Sequence, residues 1–169
     1  MTQLEFTHLY DQYADSIYRY GFFRLSRDKA LAEDLVQETF TKTWTAISRG
    51  TEITNGKTFL FTVAHNLIID IYRKKKTTSL DHLTDFGFNP ENTEDLNPEK
   101  KAEISEVLKY IDRLPDNYKQ VLILRFVEDL GPQEIAQIIG ESENNVSVRI
   151  NRSLSKLKEI MNLASNKYE

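Results

Sequence analysis

The chain contains no cysteine. Disulfides, thiolate metal ligands and cysteine nucleophiles are therefore excluded. No apolar run approaches the roughly 18 residues that a membrane-spanning helix needs. The opening residues, MTQLEFTHLYDQY, also lack the basic and apolar segments of a secretion signal. We therefore expect a soluble, cytoplasmic protein that is not itself in the membrane.

The sequence is also poor in the features of enzymes. Its three histidines, His8, His65 and His82, fall in separate segments without metal-ligand spacing, and no glycine-rich phosphate loop or nucleophile motif occurs. We expect no catalytic residue, no metal, no cofactor and no small-molecule substrate. The 169 residues are 40% hydrophobic, which is enough apolar surface for the core of one domain or of two small ones.

Charge is unevenly distributed in this chain of net charge -4. Residues 77–105 carry two Lys/Arg against seven Asp/Glu, hold two of the four prolines and show little apolar periodicity. These features are typical of a flexible linker. We therefore predict two folded domains, residues 1–76 and 106–169, joined by an acidic flexible linker at residues 77–105.

Apolar residues of the first domain recur at spacings of three and four, which indicates helices. A first helix fades near Leu25, and Ser26 is the predicted N-cap of a second helix whose buried stripe includes Trp44. A third helix runs from about Thr58 to Lys75 and ends in the longest basic run of the chain, Arg73 to Lys76.

The second domain is predicted to be helical as well. One helix should cover residues 116–127 with Phe126 on its buried side, after which Pro132 begins a short helix that ends at Gly140. Ser142 is the predicted cap of a longer helix. A short helix, a glycine turn and a longer amphipathic helix are typical of a helix-turn-helix. The predicted fold class is all-α, with two small helical domains and a helix-turn-helix in the C-terminal one.

The longer helix has two distinct faces. Its predicted core stripe is Val146, Ile150, Leu154, Leu157 and Met161. The opposite side carries Asn145, Arg149, Arg152 and Lys156. Arginine can bond guanine and asparagine can bond adenine in a major groove, while the apolar Val148 either touches a thymine methyl group or packs at the helix edge. The alternative for the whole polar stripe is an ordinary solvated surface.

The basic end of the third helix has two interpretations from the residues alone. Aromatic residues beside positive charges can stack on and track single-stranded nucleic acid. Alternatively, Phe59, Phe61 and Tyr72 belong to the core, and the basic residues complement the negative C-terminal end of their own helix. Four consecutive positive residues exceed what the helix end requires.

Three segments, in this order, resemble a known family. AEDLVQETFTKTW (32–44), FLFTVAHNLIIDIYRKKK (59–76) and residues 114–159, from LPDNYKQ to LSKLKE, are similar to the polymerase-binding, minus-10 and minus-35 segments of bacterial extracytoplasmic-function (ECF) sigma factors, which are sigma-70-like. The resemblance implies a non-enzymatic transcription initiation factor. Such a factor binds core RNA polymerase, recognises minus-35 and minus-10 promoter elements and promotes strand opening by binding the unpaired strand.

The resemblance also implies roles for particular residues. Binding to core RNA polymerase is assigned to Asp34, Leu35, Gln37 and Glu38. Binding to minus-10 DNA is assigned to Lys57, His65, Asn66, Tyr72, Arg73, Lys74 and Lys75. Binding to minus-35 DNA is assigned to Asn144, Asn145, Ser147, Val148, Arg149, Arg152 and Lys156.

The chain departs from the family pattern at several DNA-facing positions. Thr62 and His65 stand where basic residues are common, and Phe59 stands where tryptophan is common. The partners that the resemblance implies are core RNA polymerase, promoter DNA and an anti-sigma factor. The alternative functions are a stand-alone helix-turn-helix transcriptional regulator, which would be dimeric, and a helical adaptor that binds proteins but not DNA.

Overall fold

The computed structural model describes residues 3–78 and 107–165, and within them every regular element is helical. The elements are α1 (Gln3–Arg24), α2 (Lys29–Ser48), α3 (Gly56–Thr78), helical residues 107–112, α4 (Asp116–Leu122) continued by a π-helical turn (Ile123–Val127), α5 (Pro132–Ile139) and α6 (Glu143–Ser165). The all-α prediction is confirmed. Among these helices, none combines the length and the apolar character that crossing a membrane requires.

The first domain is a three-helix unit in which α1, α2 and α3 pack against one another. The rings of Tyr20 and Phe61 meet edge to face, with centroids 5.5 Å apart, at the centre of its core. Gly21 lets α1 approach α2 closely, because a Cβ atom there would lie 2.5 Å from Cδ2 of Leu35. This close packing leaves the polar surface of α2 directed away from α1.

Two details of the first domain differ from the sequence-based expectation. Asp28, and not Ser26, caps α2: its carboxylate accepts a hydrogen bond from the Leu31 backbone N–H at 3.0 Å. Ser26 instead lies in a left-handed bend at φ 57. Trp44 is 40% exposed, because it lies against Phe6 at the edge of the core and not within it.

The helix predicted over residues 116–127 changes type near its middle. After Leu122 the backbone widens into the π-helical turn, which accommodates more residues per turn than an α-helix. The periodicity that placed Phe126 on the buried side therefore fails. Ile123 and Leu124 are buried, whereas the Phe126 side chain is 59% exposed.

The predicted helix-turn-helix is present. Gly131 precedes Pro132 at the start of α5, and its N–H donates to the Glu134 carboxylate at 2.8 Å. Gly140 ends α5 in the left-handed conformation at φ 70, where a side chain would be unfavourable. Ser142 then caps α6 by accepting from the Asn145 N–H at 3.2 Å. Helix α6 packs against α4 and α5.

The buried stripe of α6 is shorter than predicted. Val146 and Ile150 are buried, but Leu154 is 41% exposed and the small Ser153 is buried in its place. The Ser153 hydroxyl donates to the Arg149 carbonyl at 2.6 Å, so it is satisfied within its own helix. The next buried residue after Ile150 is therefore Ser153, three positions later, and not Leu154, four positions later. The buried side of α6 consequently rotates about the helix axis.

Candidate nucleic-acid interface

The outer face of α6 presents most of the predicted minus-35 residues to solvent. Asn144, Asn145, Val148 and Arg152 are exposed on the first turns of α6 and just beyond. Ser147 and Lys156 are half-buried at the edges of the same helix. Val148 is 39% exposed, so it is not fully packed against its neighbours. Amide, guanidinium and apolar groups thus share one open surface on the second helix of a helix-turn-helix.

Arg149 has a partner that the sequence pattern did not indicate. Its Nη2 atom lies 2.7 Å from both carboxylate oxygens of Glu141, and the side chain is half-buried. Glu141 follows the turn glycine, so the turn brings an acidic residue onto a helix face that otherwise appears basic. Glu141 therefore orients Arg149 and partly neutralises it before any DNA is bound.

Replacing Arg149 by alanine should weaken binding to the upstream element. If the guanidinium bonds a guanine, the loss is about 1–3 kcal/mol, or roughly 5- to 150-fold in the dissociation constant. Fluorescence anisotropy of the polymerase-bound protein with labelled upstream duplexes would measure it. Lys158→Ala is the matched control, because Lys158 is exposed on the opposite side of α6. An unchanged base preference in Arg149→Ala would remove Arg149 from the residues that read DNA.

The predicted minus-10 residues divide into two groups along α3. Asn66, Arg73, Lys74 and Lys75 are exposed. Lys57, His65 and Tyr72 are half-buried and contact other parts of the molecule. Phe61 belongs to the core, so it cannot form a stacking platform on the surface.

His65 is neutral near pH 7. The Gln120 side-chain amide donates to Nδ1 of His65 at 2.7 Å, which requires the remaining ring proton to be on Nε2. Burial and, to a lesser extent, the nearby Arg24 charge lower the pKa of His65 to about 4, against a partly opposing effect of Asp116. In this position His65 cannot offer a positive charge to phosphate.

The hydroxyl of Tyr72 is also engaged in contacts within the protein. Its hydroxyl donates to the Arg24 backbone carbonyl and lies 3.4 Å from Oδ1 of Asp116. Burial, reinforced by the Asp116 charge, raises the pKa of Tyr72 to about 12, so the phenol stays protonated.

Lys57 donates from Nζ to the Glu128 carbonyl at 2.8 Å. Glu128, Asp116 and Gln120 all belong to the second domain, and sequence periodicity gives no signal for contacts across that separation.

The acidic surface of α2 is largely as the sequence predicted. Asp34, Gln37 and Glu38 are exposed on one side of the helix, where Glu38 lies 3.8 Å from Lys42. Leu35 is only 2% exposed because it fills the space opposite Gly21. Its side chain supports this surface from beneath and is not available for direct contact with a partner.

The fold and the face of α6 define a two-domain, all-α protein with a helix-turn-helix in its second domain. Residues 9–78 match the family model of sigma-70 region 2, and residues 104–157 match that of sigma-70 region 4. The chain is 35% identical to the ECF RNA polymerase sigma factor SigM of Bacillus subtilis over 161 residues, which cover 94% of this chain and 96% of that protein. It is 29% identical to SigX of the same organism, covering 94% and 84% respectively.

Two solved structures share the fold. The sigma factor RpoE in complex with the anti-sigma factor NepR, from Bartonella quintana, matches with a TM-score of 0.76 at 20% identity, covering 94% of this chain and 97% of that one. CnrH in complex with the cytosolic domain of CnrY matches with a TM-score of 0.70 at 19% identity, covering 96% and 90%. The chain belongs to the ECF sigma factors of the sigma-70 family. Its function is transcription initiation with promoter recognition, and sigma factors are not enzymes.

Proposed function

We propose that the two domains bind different parts of the promoter during transcription initiation. The protein acts in the cytoplasm, in complex with core RNA polymerase. Residues 1–76 form the domain that binds the polymerase and the minus-10 element. Residues 106–169 form the domain that binds the minus-35 element. The acidic residues 77–105 join them, in a part of the chain that lies mostly outside the described residues.

The observation that carries the proposal is the open face of α6. Asn144, Asn145 and Arg152 project from the second helix of a helix-turn-helix, and they are exposed while α4 and α5 cover the other side. Arginine and asparagine suit the hydrogen-bonding edges of guanine and adenine.

The end of α3 suits a role in strand opening. Asn66, Arg73, Lys74 and Lys75 are exposed, and they combine an amide with three positive charges. In the proposed mechanism these groups bind the nontemplate strand and its phosphates better than they bind the closed duplex. This difference in affinity shifts the population toward open DNA without ATP.

Docking on the polymerase is assigned to the exposed acidic surface of α2, formed by Asp34, Gln37 and Glu38. A negative surface suits a basic or amide-rich helical partner, and it repels DNA. The chain as a whole is also acidic, with net charge -4, which disfavours binding to DNA phosphates in the absence of polymerase. We further propose that an anti-sigma factor restrains the protein.

Transcription in vitro from a pool of random DNA fragments tests this function. Core RNA polymerase supplemented with the protein should give transcripts whose start sites share two upstream sequence blocks, near minus-35 and minus-10. Core polymerase alone is the background, and a well-behaved sigma factor is the positive control. Transcripts no more abundant than the background would contradict initiation. Specific binding of a palindromic duplex without polymerase would instead support a stand-alone regulator.

A further inference from the structure

Glu141 lies at the start of the face of α6 that we assign to minus-35 DNA. It precedes Asn145 and Arg149 at successive intervals of four residues, and its carboxylate reaches Arg149 two helical turns further along. Amide and guanidinium groups on this side suit the edges of bases. A carboxylate on the same side repels phosphates, so Glu141 does not contribute general affinity for DNA.

The contact between Glu141 and Arg149 is short and partly shielded from solvent. Both carboxylate oxygens lie 2.7 Å from Nη2 of Arg149, and the two side chains are 31% and 21% exposed. By comparison, the Lys156–Glu159 pair of the same helix is longer, at 3.0 Å, and more exposed on both sides. Exposed ion pairs contribute little, whereas short, partly buried charge-assisted bonds fix the geometry of both groups. Glu141 therefore holds the Arg149 side chain in one orientation.

Both residues of the pair are also anchored through their backbones. The Glu141 N–H donates to the Ala136 carbonyl at 3.0 Å, which fixes the residue to the end of α5 directly after Gly140. Arg149 lies within α6, and its carbonyl accepts from the Ser153 hydroxyl at 2.6 Å. The separation of the two backbones is therefore set by the helix-turn-helix, so the side chains meet without any rearrangement of the motif.

The guanidinium of Arg149 can bond to Glu141 and to a base at the same time. It carries five N–H donors, and the two contacts with Glu141 both involve Nη2. The other nitrogens can therefore donate to O6 and N7 of guanine. The carboxylate offsets the positive charge of the guanidinium, and it is this charge that attracts phosphates of any sequence. The pair thus keeps the hydrogen bonds that distinguish bases and reduces the attraction that does not.

We propose that Glu141 is a positioning residue that holds Arg149 to read a guanine of the minus-35 element and reduces its attraction to phosphates. This inference rests on the proposed function of α6. An arginine that is already held in place loses less conformational entropy when it bonds the base than a mobile one does. The difference corresponds to about a 2- to 12-fold preference for the guanine. Glu141 therefore favours discrimination between promoters over general affinity for DNA.

The base that Arg149 reads is identified first. Core RNA polymerase carrying the parent or Arg149→Ala is bound to labelled upstream duplexes in which each base pair of the minus-35 block mapped by transcription is replaced in turn. The guanine whose replacement weakens binding of the parent but not of Arg149→Ala is the base that Arg149 contacts. Fluorescence anisotropy gives the ratio of the two dissociation constants, which is the preference for that guanine.

Two substitutions of Glu141 then test the positioning role. Glu141→Ala should lower the preference for that guanine about 2- to 12-fold. Glu141→Gln keeps an oxygen acceptor without the charge, so it should lower the preference less. In an Arg149→Ala background, Glu141→Ala should change no base preference. Glu143→Ala is the control and should keep the parent's preference, because it removes the same charge from an exposed site two residues away.

Salt dependence gives a second measurement that a purely structural role would not change. Without the Glu141 carboxylate, Arg149 can neutralise one further phosphate. The slope of the logarithm of the binding constant against the logarithm of the salt concentration should therefore steepen by about 0.9 in Glu141→Ala and Glu141→Gln. Glu143→Ala should keep the parent's slope. An unchanged slope in both Glu141 variants would contradict the neutralisation of Arg149.

The outcomes separate the positioning role from the proposed function of α6. A parent-like preference in Glu141→Ala, together with its loss in Arg149→Ala, would overturn the positioning role and leave the function of α6 intact. A change of base preference by Glu141→Ala in the Arg149→Ala background would also overturn it, because Glu141 would then act on DNA without Arg149. If Arg149→Ala keeps the parent's preference at every base pair, the proposed role of Arg149 is wrong and the inference fails with it.

Discussion

The Asp34→Arg/Glu38→Arg variant should fail to co-elute with core RNA polymerase under conditions in which the parent protein does. Both carboxylates are exposed on one side of α2, four residues apart, so both reversals fall within one contact surface. Placing like charges against a partner that matches the original surface costs several kcal/mol. A loss of about 2–4 kcal/mol corresponds to roughly 30- to 1,000-fold weaker binding. Gel filtration detects such a loss at micromolar concentrations.

The matched control is Asp11→Arg/Glu52→Arg. It makes the same total charge change at two exposed residues of the same domain that are outside α2. Co-elution of the control together with loss of the Asp34→Arg/Glu38→Arg variant would assign docking to α2. If both variants bind as the parent does, the acidic surface is not the docking site. If neither variant co-elutes with the polymerase, the loss of binding results from the change in net charge and not from the position of the substitutions.

The Phe61→Ala variant should show the largest loss of stability in the first domain. Phe61 is fully buried, and its ring meets that of Tyr20 at the centre of the three-helix core. Truncating a buried phenylalanine removes its burial energy and leaves a cavity, at a cost of about 3–5 kcal/mol. This is a large part of the stability of a small domain. Trp44 is the only tryptophan and lies in α2, so its fluorescence follows unfolding of this domain in denaturant.

Phe126→Ala provides the same chemical change at an exposed site. Its side chain is 59% exposed on the π-helical turn of the second domain. The Trp44 transition of Phe126→Ala should coincide with that of the parent, while that of Phe61→Ala should move to lower denaturant with a similar slope. A shift of less than about 1 kcal/mol for Phe61→Ala would contradict its placement in the core.

Local signals identified the helices and the turn of the second domain. The glycine at position 140 adopts the left-handed conformation that ends α5, and Ser142 caps the helix that follows. Both effects act over a few residues, so the local sequence is sufficient to predict where these helices end and begin. The capping residue of α2 was less certain from the sequence, because serine and aspartate are both good caps. The structure uses Asp28, and Ser26 lies two residues earlier in a left-handed conformation.

Helical periodicity predicted burial well in the middle of elements and poorly where the geometry changes. Val146 and Ile150 are buried as expected, whereas Leu154 and Phe126 are not. A period of 3.6 residues assumes an uninterrupted α-helix with the same neighbour along its length. The π-helical turn breaks the first condition at Phe126. At Leu154 the buried line continues through Ser153 instead.

The sequence by itself determined the all-α class, the helix-turn-helix, the exposed amides of α6 and the acidic surface of α2, because each depends on the spacing of residues within one helix or turn. Only the tertiary structure decided that Arg149 is paired with Glu141, that Leu35 is buried, and that His65 is neutral beside Gln120. It also decided that Arg24 is buried against Asp116, which is 92 residues away in the chain. Charge and pKa at such places depend on desolvation and on partners from other helices, and no local pattern encodes them.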